Sequence, residues 1–325
     1  MAPGAPGAPP RFAGADLVLL GSLAVLWGLA YVYIRQGIVA GASPLAFAGS
    51  RYALSAIVFL TLAAARREPW PDRRSLAVSA IVGGILVIGL YGGLLYWGEQ
   101  STTGGYASVL AATAPILTVV LAFGLLPSER LGSRAIAGVL IAFVGVIVLV
   151  APTLAGGAVG TWPGPEFVLA ALVSVAVGTV LLRRFGTGRQ GLWQIGTQFA
   201  VGGALLGAAT ALLPVPEALP ASTEVWTALA ILVVLSSVMG YWVYFLLHHR
   251  VGPVRANLVA YLVPLVGIGI GSGIFGEAVT LWEIVGFLIV VGGLTLVLRE
   301  REARPRRRPP PDLRDADATD VGVTK

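Results

Sequence analysis

Residues 107–145 read ASVLAATAPILTVVLAFGLLPSERLGSRAIAGVLIAFVG, and residues 256–293 read ANLVAYLVPLVGIGIGSGIFGEAVTLWEIVGFLIVVGG. One punctuation runs through both. Ala107 leads to Pro115, Glu129, Gly138 and Gly145; Ala256 leads to Pro264, Glu277, Gly286 and Gly293. The Ala-to-Pro and Glu-to-Gly spacings are equal, and the copies differ by one residue between Pro and Glu. Such agreement inside otherwise continuous apolar sequence marks a duplicated segment.

The match extends outward. Pro44 to Arg51 falls opposite Gly191 to Gln198, so the polar Arg51 and Gln198 occupy equivalent places, and Gly28 aligns with Gly178. The repeating unit is a block of five hydrophobic segments, 16–151 in the first copy and 163–298 in the second. Residues 1–15, rich in Ala, Pro and Gly, and the basic tail 299–325, with Arg306-Arg307-Arg308 before three prolines, cannot bury a core and are expected to be disordered. The first span is read as a retained helix, not a cleaved signal. The tail's charge is read as fixing topology, with contact to anionic lipid heads as the alternative.

Over 325 residues, 56% hydrophobic and 12% charged side chains with a mean hydropathy of +0.85 define an integral membrane protein. Apolar windows of roughly 20 residues, the length that crosses about 30 Å of hydrocarbon, fall at 16–36, 44–65, 75–98, 104–126, 134–151, 163–183, 191–213, 224–247, 252–275 and 279–298. Pro44, Pro127, Pro152, Pro163 and Pro214 punctuate the connections. The two copies start five spans apart, an odd number, so they run in opposite directions. The expected fold is all-α, with ten transmembrane helices arranged as two inverted-topology five-helix repeats. Neither copy alone buries its polar faces, so the two are expected to close around a shared interior, where the substrate of a secondary transporter sits.

Loop charges carry the orientation. Arg66, Arg67, Arg73 and Arg74, then Arg130 and Arg134, then Arg183, Arg184 and Arg189, then Arg250 and Arg255 mark alternate connections, while 152–162 and 214–223 contain no basic residue. By the positive-inside bias both termini are cytoplasmic. The net charge of +6 therefore reflects topology and does not imply nucleic acid.

Several chemistries are excluded by what the chain lacks. There is no cysteine, histidine occurs only as His248 and His249, and the single lysine is Lys325. Thiol catalysis, a multi-histidine metal centre and a P-loop are thereby removed. No catalytic residue, metal or cofactor is implied. An intramembrane lipid-modifying enzyme would need clustered acid, base or metal-binding groups, and adjacent His248 and His249 point to different sides of a helix.

These residues resemble the EamA-type transporters of the drug/metabolite transporter superfamily. The resemblance rests on Trp27-Gly28, Arg51 early in the second span, Ala107 to Pro115 with Glu129, and Ala256 to Pro264 with Gly276-Glu277 and Gly286. It implies a ten-helix exporter of small metabolites in a bacterial inner membrane, most like the exporters of amino acids, aromatic ones included. The expected partners are a small-molecule substrate, an amino acid or similar metabolite, and membrane lipids.

Helical spacing selects the candidate cavity residues. Trp27 and Tyr31 share a face of the first span; Ser237, Tyr241 and Tyr244 share one on the eighth, with Trp242 beside them. Gln190, Gln194 and Gln198 recur every fourth residue on the seventh span, and Asn257, Tyr261 and Pro264 form a row on the ninth. The glutamines either line the cavity or join helices by hydrogen bonds. Tyr91 and Trp97 either stack on a ligand or pack. Arg51 either meets a substrate carboxylate or snorkels to the headgroups. Pro115 and Pro264 either hinge or simply kink their helices. Glu129 and Glu277 each favour the N-terminus of the helix that follows. With Glu99, Glu129, Glu166 and Glu277 all at span edges, no central carboxylate relay is expected, which favours uncoupled or exchange-type export; a proton-coupled antiporter is the alternative.

Overall fold

The computed structural model describes residues 14–102, 104–111, 113–114, 117–118, 121, 125, 132–155, 163–186, 191–212, 219–251, 256, 259–275 and 281–299. Every element among them is helical. In chain order they are α1 (Gly14–Val39), α2 (Pro44–Ala65), α3 (Arg73–Gly98), α4 (Gly104–Ala111), α5 (Ser133–Ala155), α6 (Gly164–Phe185), α7 (Leu192–Leu212), α8, continuous through Thr223–Ile231, Leu232–Met239 and Gly240–Val251, α9 (Val259–Phe275) and α10 (Leu281–Arg299). Pro115, Glu129, Asn257, Glu277, Gln190 and, of the tails, residues 1–13 and 300–325 lie outside the described residues, whereas Gly14, Ala15 and Arg299, read as parts of disordered tails, are helical.

Local chemistry sets the ends. Pro44 opens α2, where a missing amide hydrogen goes unnoticed. Asp72 caps α3 by accepting from the Ser75 amide at 2.8 Å, and Ser222 caps α8 through the Val225 amide at 3.3 Å. Glu166 in the first turn of α6 and Arg183 and Arg184 in its last turn complement the helix dipole. Gly41, at φ 97°, makes the tight turn between α1 and α2 that a residue with a Cβ resists. Two boundaries differ from the expectation. Pro152, read as a stop, lies inside the last turn of α5, and α8 runs four residues past 247. A proline near a helix C-terminus forfeits only one backbone bond, so it need not end the helix.

Among the described residues, six helices are long and apolar enough to cross a membrane: α1, α2, α3, α6, α7 and α8 through Leu247. Shorter apolar runs, Ile136–Val148 and Ile284–Leu296, lie within α5 and α10. Apolar side chains such as Ile57, Ile81, Val144 and Leu288 face outward, which suits hydrocarbon and not water. The chain is a multi-pass membrane protein.

Packing pairs the two halves. α2 lies against α7 and α5 against α10; α1 lies on α8 and α9, while α6 lies on α3 and α4. At the α5–α10 crossing the backbones touch. A Cβ on Gly145 would stand 2.9 Å from the Gly286 carbonyl oxygen, and one on Gly293 would stand 2.5 Å from the Gly138 carbonyl oxygen. The four glycines of the duplicated motif therefore meet one another, each copy's against the other's. Small residues allow this approach where lipid offers no hydrophobic drive to association.

Residues 79–90 of α3 and 232–239 of α8 wind more loosely than α-helix, with i→i+5 hydrogen bonding. Such turns gather at functional sites, and both stretches border the interior cavity.

Candidate functional site

A cavity of about 350 Å³ lies inside the bundle, walled by α1, α2, α3, α4, α6, α7, α8 and α9. It reaches Ser75 and Val78 at the start of α3 and Arg183 and Gly186 at the end of α6. At its other extremity stand Tyr31, Ile34, Arg51 and Leu95. Its volume suits one small metabolite.

Arg51 is the one strongly polar feature at that extremity and is 7% exposed. Its Nη2 donates to Ser236 Oγ at 2.8 Å, its Nε to Ser237 Oγ at 3.1 Å, and its Nη1 to Tyr96 Oη at 3.1 Å. Its Cζ stands 5.4 Å from the centre of the Tyr52 ring. Snorkelling is thereby ruled out, because the side chain crosses the interior to α3 and α8. The three acceptors are neutral hydroxyls, so they orient the guanidinium without cancelling its charge, which suits it to receive an anionic group. Ser237 is itself fully buried behind Arg51 and is not on the wall, whereas Ser236 is.

Aromatic rings supply the apolar side. Tyr241 lies 5.1 Å from Phe199 and 6.0 Å from Trp27, and Phe199 lies 5.6 Å from Tyr52, centre to centre. All four face the cavity, together with Tyr31, Tyr91 and Tyr244. Tyr52, Phe199, Ser236 and Tyr96 escape sequence reasoning, since an aromatic or serine in an apolar span looks like packing. The only local signal is adjacency in sequence, of Tyr52 to Arg51, Phe199 to Gln198, Ser236 to Ser237 and Tyr96 to Trp97.

The glutamines take both roles at once. Gln198 Nε2 donates to Ser79 Oγ at 2.7 Å and Gln194 Nε2 to Ser75 Oγ at 3.0 Å, joining α7 to α3, while both side chains remain on the wall.

Three candidates lie elsewhere. Trp97 packs on Phe167, ring centres 6.4 Å apart, away from the cavity. Trp242 is 39% exposed, with the Arg66 guanidinium 4.4 Å over its ring. Successive helix residues point about 100° apart, so Trp242 cannot share the face that Tyr241 presents. Tyr261 is fully buried but off the wall, its hydroxyl without a partner among the described residues. Pro264 sits inside α9 and is buried. Trp242→Ala is expected to leave transport at the wild-type rate and to cost under about 1 kcal/mol of stability, the range of an exposed cation–π contact; a transport assay beside a melting curve checks both.

Glu99 departs furthest from its reading as an edge residue. It is 0% exposed, and neither carboxylate oxygen has a hydrogen-bond partner among the described residues. Arg35 reaches it from α1 but donates to the main-chain carbonyls of Glu99 and Gln100. The argument against a relay from edge position therefore fails at this residue.

An apolar helical bundle with a polar and aromatic chamber inside it suits a membrane transporter. The profile of the EamA-like transporter family matches the chain twice, over residues 15–151 and 162–299, and the chain belongs to that family. It is 27% identical over 277 residues to an uncharacterized inner membrane transporter, YedA, of Escherichia coli, covering 85% of this chain and 88% of that protein. It is 25% identical over 287 residues to a probable amino-acid metabolite efflux pump of Salmonella typhimurium, covering 83% and 90%. A protein solved by crystallography shares the fold with a TM-score of 0.65 at 21% identity, over 88% of this chain and 96% of that one.

Proposed function

We propose that this transporter exports small zwitterions, amino acids and aromatic ones among them, by alternating access. The observation that carries the reading is the pairing inside one cavity of a buried guanidinium, held by neutral hydroxyls, with a wall of aromatic rings. Arg51 receives the carboxylate, and Tyr241, Phe199 and Trp27 receive the side chain. Tyr31, Tyr91, Gln194 and Gln198 complete the polar lining. The amino-acid efflux pump among the relatives supports the same substrate class and the outward direction.

Ten spans in two inverted repeats supply the machine. The twofold match of the family profile supports the duplication. So does the packing, in which exchanging α1–α5 with α6–α10 turns the α1 contacts with α8 and α9 into the α6 contacts with α3 and α4. With both termini on the cytoplasmic side of a bacterial inner membrane, the Ser75–Arg183 end of the cavity faces the cytoplasm and the Glu99 end faces out. The state described is then closed outward. Pro115 and Pro264 act as hinges as the halves rock, with Asn257 near the second.

Proteoliposomes preloaded with labelled phenylalanine should release it saturably, and unlabelled amino acids should compete. Absence of efflux for every amino acid tried would overturn the substrate class.

A further inference from the structure

We infer that Glu99 holds a proton while its end of the cavity is closed, and that this proton favours binding of the carboxylate that Arg51 receives. The inference rests on the carrier reading above. Two cations face Glu99, and both are hydrogen-bonded to other groups. Arg35 on α1 is engaged by main-chain carbonyls, and Arg51 on α2 by Ser236, Ser237 and Tyr96. The remaining ionisable neighbours are the phenols Tyr31 on α1 and Tyr96 on Glu99's own helix. On α6, whose first turn packs against Gly98, stands Glu166, whose field falls on Tyr106 of α4.

A buried carboxylate that accepts no hydrogen bond is costly, and a neutral acid avoids that cost. Burial pushes the Glu99 carboxyl well above the usual carboxylate range, with the charges of Arg35 and Arg51 opposing the shift only in part. Glu99 and Arg51 therefore act on each other across the Tyr96 side chain, which lies one helical turn from Glu99 and accepts from Arg51. Ionised, Glu99 competes with a ligand carboxylate for the field of Arg51. Protonated, it leaves that field to the ligand. Proton and carboxylate thus favour each other's binding by the same factor. Where unliganded Glu99 is ionised, one proton leaves solution for the Glu99 oxygen with each carboxylate bound, and no other bond changes.

Calorimetry of the full-length protein with phenylalanine, in buffers of different ionisation heat, tests this. At a pH high enough to ionise Glu99 in the unliganded protein, wild type should take up a proton on binding, and its apparent Kd there should stand on the order of tenfold above its value at about pH 5.5. Glu99→Gln should bind without proton uptake and with a flat Kd. Phenethylamine, which lacks the carboxyl, should show no uptake with either protein. Infrared spectra of the unliganded wild type should carry a carboxylic-acid band at neutral pH that Glu99→Gln lacks, a readout that needs no ligand. Ionised Glu99 at neutral pH overturns the inference, as does phenylalanine binding to wild type without proton uptake at the pH that ionises unliganded Glu99, or equal uptake with phenethylamine. If phenylalanine fails to bind at every pH, the amino-acid reading falls and takes the linkage with it, while the infrared band still decides whether Glu99 holds a proton.

Discussion

Replacing Arg51 with methionine should leave a folded protein whose apparent affinity for phenylalanine is lower by about tenfold to a hundredfold. The range follows from hydrogen bonds to a charged group, worth about 1.5–3 kcal/mol each in a buried setting, at about 1.4 kcal/mol per tenfold. Methionine fills a similar volume, and exchanging a buried charge for an apolar residue is often neutral for stability. Ser236, Ser237 and Tyr96 lose a donor but, as hydroxyls, they retain the capacity to satisfy one another. Phenethylamine, having no carboxylate, should bind the variant as it binds wild type. Equal phenylalanine affinity in the two proteins would reduce Arg51 to a structural clamp. Lysine at 51 should recover only part of the loss, because a point charge cannot span α3 and α8 as the guanidinium fork does.

The second large effect belongs to the α5–α10 crossing, far from the cavity. Gly293→Ala places a Cβ 2.5 Å from both the Gly138 carbonyl oxygen and the Ala142 amide nitrogen, so the helices must separate. Overpacking of this kind costs about 1–3 kcal/mol. Gly292, its neighbour, faces open space, and Gly292→Ala should be neutral or stabilise by up to about 1 kcal/mol through helix propensity. Melting temperatures of the two variants in one detergent give the comparison. Phenylalanine affinity should be unchanged in both, since neither α5 nor α10 contributes to the cavity wall.

The spans were legible because hydrocarbon demands long apolar runs whatever their tertiary neighbours. Proline was a weaker guide, as Pro152 shows by sitting within α5. At the site, helical spacing correctly assembled Trp27 with Tyr31 and Gln194 with Gln198, since those relations are local. It failed where the partner is distant: Arg51 meets Ser236 across 185 residues of sequence, a pairing no window contains. Trp242 was grouped with Tyr241 by proximity in sequence, although a helix separates neighbours by angle. Glu99 was misread because hydropathy locates the end of a span but is silent on what folds over it. Here α1 does so, through Arg35.

The glycine crossing also constrains how the two copies can drift apart in sequence. What opposes a side chain at 293 is the main chain of 138 and 142, and at 145 it is the main chain of 286 and 290. A clash with a side chain can be relieved by trimming that side chain, but a peptide group offers nothing to trim. Compensating pairs should therefore be missing at these positions: among diverged relatives each should stay small independently, without covariation across the crossing. The rest of the duplication is free to diverge, as the different side chains at the equivalent positions of Arg51 and Gln198 already illustrate.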